Sequence, residues 1–226
     1  VYGGPEQKEV KIRAAKGEMR MKIPLHYQMS EYDCGPTAML NGISFLFERE
    51  DIFPELIRNI MLYSLDCYGA EGTPGKSGTS RAAMMFLSNW LNGFGEIRRL
   101  PLASRYLSGR SVCLGSESLV NDALHRKGAA VVRLFYDEPH YVLLTGERDG
   151  LVYMFDPYYR DCAFAQKDIQ VILDRPAEYN RIVPERYFNR EDQSIYALGP
   201  FKGREAVLLF NEDIKITEEN SIEYFI

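Results

Sequence analysis

Residues 129–157 read AAVVRLFYDEPHYVLLTGERDGLVYMFDP, and the texture of this stretch decides the fold class. Ala129–Tyr136 is an apolar, partly β-branched run of strand length. The phrases HYVLLTG and LVYMFDP then flank the turn residues Glu147 to Gly150, with Asp149-Gly150 as a hairpin signal. What precedes them has another period. From Gly35, with Pro36 in a first turn where its missing N–H costs little, Met39, Ile43 and Leu46/Phe47 follow at helical spacing. A second helix is expected over Pro54–Ser64, with Leu56, Ile60 and Tyr63 on one face. A third should begin near Thr79 or Ser80, either a suitable N-cap, and bury Ala83, Phe86, Leu87, Trp90 and Leu91. A fourth is expected over Ser116–Lys127, stopped by Gly128. Beyond the hairpin the sequence predicts a short helix over Lys167–Asp174 and a late strand over Ala206–Phe210. Helices first and antiparallel strands later predict an α+β fold rather than a wound parallel sheet.

The rest of the chain narrows the function classes. Its 226 residues, 46% hydrophobic and 26% charged, can build a core without disulfides or metal. Residues 1–20 show no clear hydrophobic period and read as an N-terminal tail. A core is expected over 21–175, and 176–226 as a C-terminal extension packing on it. Lys and Arg number 27 against 32 Asp and Glu, a net charge of -5 with interspersed signs, so no nucleic-acid partner is expected. No window is long and apolar enough to span a membrane, and Val1–Arg20 does not resemble a secretory signal. The four cysteines, at 34, 67, 113 and 162, form no zinc knuckle; they are read as reduced thiols in a cytosolic protein, with no metal or organic cofactor. Gly75-Lys76-Ser77 imitates the end of a phosphate-binding loop, but Ala70 stands where that loop needs glycine, and the segment follows a helix rather than a strand. Gly69–Gly78 reads instead as a mobile loop beside a cleft.

Chemistry concentrates at Gln28-Met-Ser-Glu-Tyr-Asp-Cys34-Gly-Pro-Thr-Ala. A cysteine at the start of an apolar helix sits where the helix dipole and free N–H groups favour a thiolate, although a free Cys there also serves as a small buried hydrophobe. Gln28, six residues upstream, is close enough to fold back beside the sulfur and, with the Cys34 N–H, hold an oxyanion. A thiolate nucleophile needs a base, and the chain has three histidines. His125 closes a polar helix, where its interaction with the helix end explains it. His26 precedes Cys34 on an extended segment without bracing. His140 opens the hairpin whose far end carries Asp156, so the carboxylate can reach the imidazole and fix its tautomer.

Taken together, QMSEYDCGPTA and the later HYVLLTGERDGLVYMFDP resemble the papain-like peptidases that process bacteriocin leaders at a double-glycine site. The resemblance covers about residues 21–165. It implies a papain-like fold, a helical half facing an antiparallel sheet, with Cys34 as nucleophile, His140 as general base, Asp156 as its orienting partner and Gln28 in the oxyanion hole. It implies a cysteine peptidase or amidase, here as a stand-alone member, acting on a peptide or acyl-amide substrate through a thioester. Transfer of the acyl group to an amine, or a non-catalytic peptide-binding role, stays open on the same residues.

Overall fold

The computed structural model of the protein describes residues 22–213. The expected N-terminal tail therefore lies outside the described residues, as does the end of the C-terminal segment. Three helices come first: α1 (Cys34–Leu46), α2 (Pro54–Ser64) and α3 (Arg81–Arg98). Pro36 occupies the first turn of α1 and Pro54 opens α2. Ser80 caps α3, its hydroxyl accepting from the Ala83 N–H at 3.1 Å, which satisfies one of the donors that a helix start leaves free. The strand β1 (Leu102–Ser108) follows, then the short helix α4 (Leu119–His125) and the strands β2 (Ala129–Tyr136), β3 (Glu138–Arg148), β4 (Leu151–Phe155), β5 (Gln170–Val171), β6 (Arg181–Pro184) and β7 (Glu205–Asn211).

The strands form one antiparallel sheet in the order β1-β7-β2-β3-β4-β6-β5. Alternation along each strand divides its side chains between two cores. Val131, Leu143, Phe155, Val207 and Leu209 meet α1, α2 and α3 on one face. Val132, Val142, Leu144, Met154 and Leu208 meet α4 and the 188–198 segment on the other. Period-2 burial on both faces is what an apolar hairpin covered on each side requires. The α+β class is thus present, with the helical layer and the antiparallel sheet of the expected papain-like arrangement. Among the described residues no helix is long and apolar enough to cross a membrane.

Three local expectations need correction. Lys167–Asp174 contains no helix; Gln170–Val171 instead pairs with β6. Ile169, Val171 and Ile172 are β-branched, and an isolated eight-residue segment gains too little from helical hydrogen bonds to resist strand pairing. Phe86 is not part of the core: it stacks on Tyr63 at 5.0 Å, and both rings remain exposed. The segment 176–213 does more than pack on a finished core, since β6 and β7 are strands of the sheet and β7 lies between β1 and β2.

Candidate active site

Cys34 is the first residue of α1 and is buried. The turn before it is shaped by Asp33, whose carboxylate accepts the backbone N–H groups of Met29 (3.0 Å) and Ser30 (2.7 Å) and the Ser30 hydroxyl (2.7 Å). Burial opposes the charge on Asp33, but these donors hold its pKa below the ordinary value. Asn41, two turns further along α1, clamps the preceding segment by exchanging two hydrogen bonds with the backbone of His26, at 2.7 and 2.9 Å. After Cys34 the chain has no room for a side chain: a Cβ on Gly35 would stand 2.2 Å from the Thr79 hydroxyl. Glycine at 35 lets the segment leading into α3 lie directly against the start of α1.

His140 and Asp156 meet at the open end of the hairpin. The imidazole Nε2 and the Asp156 Oδ1 are 2.7 Å apart, with the His140 side chain 10% exposed and that of Asp156 wholly buried. The Cys34 side chain lies close enough to the ring to act on its charge. With Nε2 engaged by Asp156, Nδ1 is the nitrogen left for the sulfur. Burial disfavours the charged ring, yet the Asp156 carboxylate and then Cys34 outweigh it and push the His140 pKa up to about 10. For Asp156 burial again opposes charge, and the imidazolium, the Tyr158 N–H and the Arg181 charge together hold the pKa down. The pair is therefore an ion pair at neutral pH.

Gln28 is tied to the end of the hairpin, its backbone N–H donating to the Pro157 carbonyl at 2.9 Å. Its amide nitrogen donates to the Ser30 carbonyl at 2.7 Å, leaving its second N–H for another acceptor. The amide oxygen is buried with no hydrogen-bond partner. The other two histidines stand apart from this chemistry: His125 pairs with Glu147 at 2.9 Å on the surface, and the His26 side chain is exposed. The Gly69–Gly78 loop folds back on itself through a Tyr68–Pro74 bridge, and Asp66 ties it to Ser80 at the start of α3 through the backbone N–H at 2.8 Å.

Sequence reasoning missed the residues that hold Asp156. Tyr196 donates its hydroxyl to the second carboxylate oxygen at 3.0 Å. Asn180 exchanges two hydrogen bonds, each 2.8 Å, with the Asp156 backbone. Arg181, fully buried, donates to the carbonyls of Asn180 and Tyr158. Tyr196 is the most constrained, with φ at 58°, the left-handed region that a bulky side chain rarely occupies. Two backbone hydrogen bonds with Phe135 hold residues 196 and 197 there. Strain at a residue touching a catalytic-type carboxylate is a usual place for it. No local motif marks these positions; a buried carboxylate simply requires donors, and the chain supplies them from far away.

No family model matches the chain, and no curated protein matches it. Among solved structures it is similar to a double-glycine motif protease from an AMS/PCAT transporter in complex with the leader peptide. That likeness covers 84% of this chain and 91% of that one at 13% identity and a TM-score of 0.41. So distant a likeness assigns no residue, and the site rests on its own geometry.

Proposed function

We propose that the protein is a cysteine-dependent acyl hydrolase, a peptidase or amidase, with Cys34 as nucleophile. The observation that carries this reading is the buried His140–Asp156 pair at 2.7 Å with Cys34 as the ring's second neighbour. The Cys34 sulfur attacks the scissile carbonyl as the thiolate, its proton held on the His140 imidazolium, forming a C–S bond while the carbonyl electrons move onto oxygen. The Cys34 N–H, at a helix start where it lacks an intrahelical acceptor, and the Gln28 amide stabilise that oxygen. Collapse breaks the C–N bond as His140 gives its proton to the leaving amine. The neutral ring then takes a proton from water, which attacks the thioester; the C–S bond breaks, releasing the acid and returning the Cys34 thiolate beside the imidazolium. Asp156 keeps the ring oriented and supports its charge in both steps. The resemblance of the Gln28–Ala38 phrase and of the hairpin to the leader-processing peptidases supports a peptide substrate.

Differential alkylation tests this. At pH 6, iodoacetamide should label Cys34 far faster than Cys67, Cys113 or Cys162. Cys67 is the sharpest control, because burial and then the Asp66 charge raise its pKa. His140→Ala should remove the advantage, and His125→Ala should leave it. Equal labelling of all four thiols in the unmodified protein contradicts the proposal.

A further inference from the structure

A second buried polar group stands beside Cys34, and the chemistry above does not use it. Glu205, 1% exposed, begins β7. Continuing the β2–β7 register one place beyond Val132–Ala206 sets it opposite Arg133 on β2, and Arg133 is paired with Tyr141 on β3. Tyr106 of β1 completes the row from the other side. These side chains lie on the face of the sheet that carries the helices, at the end where α1 and α3 begin. The row is next to the nucleophile: Thr79, two residues before Arg81, lies against Gly35, the residue after Cys34, and the Tyr141 hydroxyl is close enough to feel the Cys34 charge.

The hydrogen bonding is uneven. Glu205 accepts from the Tyr141 hydroxyl at 2.8 Å and from the Tyr106 hydroxyl at 3.0 Å. The two guanidiniums stay further off, Arg133 at 3.8 Å and Arg81 at 4.0 Å. Each anchors one nitrogen to a backbone carbonyl, Arg133 to Gly203 and Arg81 to Lys202. Their side chains remain 27% and 44% exposed. Two positive groups thus share one carboxylate whose oxygens already have closer donors. One positive charge and several guanidinium N–H groups are left over, in a fork geometry suited to a carboxylate. If Glu205 needed only burial, the two tyrosines and one arginine would suffice.

We propose that Arg81 and Arg133 form a subsite for a substrate carboxylate close to the scissile bond, so that the preferred substrates are acidic acyl or peptide chains. This deepens the thiol-hydrolase reading and rests on it. The carboxylate is that of an acidic side chain or of a free chain end, and the same positive pair would receive either.

Three matched reagents that alkylate thiols test the subsite: N-bromoacetyl-alaninamide, which is neutral; N-bromoacetyl-alanine, with a terminal carboxylate; and N-bromoacetyl-aspartamide, with a side-chain carboxylate. Rates at Cys34 are divided by those at exposed Cys162 in the same sample. At least one acidic reagent should be favoured over the neutral one at Cys34 by about five- to tenfold, the effect of one partly screened charge at this range. Which acidic reagent it is identifies the source of the carboxylate. The ratio should collapse toward one in the double variant Arg81→Gln/Arg133→Gln, and in the unmodified protein it should shrink as salt is raised. An acidic-to-neutral ratio unchanged by both the substitutions and salt overturns the subsite while Cys34 remains selectively reactive. If the neutral reagent shows no preference for Cys34 over Cys162, the hydrolase reading itself has failed, and the subsite falls with it.

Discussion

Tyr196 illustrates how much of a buried carboxylate's behaviour is set by groups beyond its ion-pair partner. Its hydroxyl is the one side-chain donor, besides the imidazole, given to the Asp156 carboxylate among the described residues. Tyr196→Phe should leave Asp156 Oδ2 without that donor in a dry site, a loss worth about 1.5–3 kcal/mol for a hydrogen bond to a charged group. In turnover this predicts a fall in kcat of about tenfold to a hundredfold with KM little changed, because only the support of the imidazolium is touched. Asp156→Asn should cost more, roughly a thousandfold or beyond, since an amide can hold the ring in the wrong tautomer. Steady-state kinetics on the two variants check the order; a Tyr196→Phe enzyme as active as the parent would show that Asp156 needs no such support. Neither tyrosine nor arginine partner was legible in the sequence, whereas the meeting of His140 with Asp156 was, because thiol chemistry restricts residue types and scarcity restricts candidates. Support for a buried carboxylate restricts neither.

At the scale of the element, the hairpin carrying His140 and Asp156 contains a feature that residue counting cannot find. Arg148 pairs with Leu151 across the Asp149-Gly150 turn, where both residues take positive φ as a tight hairpin turn demands. Counting evenly from that turn would set Asp156 opposite Leu143, on the face away from His140. The register instead shifts between Leu144 and Gly146, Thr145 being the extra residue, so that Leu143 pairs with Phe155. Asp156 then continues opposite Val142, on the same face as His140 and diagonal to it. Deleting Thr145 should turn the bulge into regular ladder and keep the pair together. Deleting Val142 should flip His140 to the opposite face. Selective Cys34 alkylation is therefore expected to survive the first deletion and disappear in the second; loss in both, with folding intact by circular dichroism, would show that the bulge itself shapes the site. The helices were more legible: Ser80 and Pro54 act through local chemistry that a sequence displays. Phe86 was misread because helical periodicity marks a face without saying whether anything covers it.

For the molecule as a whole, the site and the fold share the same electrostatics. The His140 pKa rises from 6.5 to about 10 on folding. The folded ring binds its proton more tightly than the unfolded one, so the resulting stabilisation is complete below pH 6.5 and is lost as pH climbs toward 10. Asp156 shifts the other way, down from 3.8, so its contribution is present above that value and lost in acid. The pair should support a stability plateau between 3.8 and 6.5. Thermal melts across pH 4–10 should show a steeper alkaline decline in the parent than in Asp156→Asn; identical slopes would remove the ion pair from the account. The sheet explains why the last fifty residues resisted reading. Ala206–Phe210 was recognisable as a strand, but its place between β1 and β2 is a long-range pairing that local pattern does not encode. The same topology brings Asn180, Arg181 and Tyr196 beneath Asp156.

The central claim is that Cys34 takes up an acyl group because His140 and Asp156 converge on it. Rapid mixing with a peptidyl p-nitrophenyl ester, followed by intact and peptide mass analysis, measures this directly. The account predicts a burst of one nitrophenolate per chain and one acyl group, carried on Cys34, both absent in Cys34→Ala. A burst that persists in Cys34→Ala, or acyl groups scattered over Cys67, Cys113 and Cys162, would contradict it.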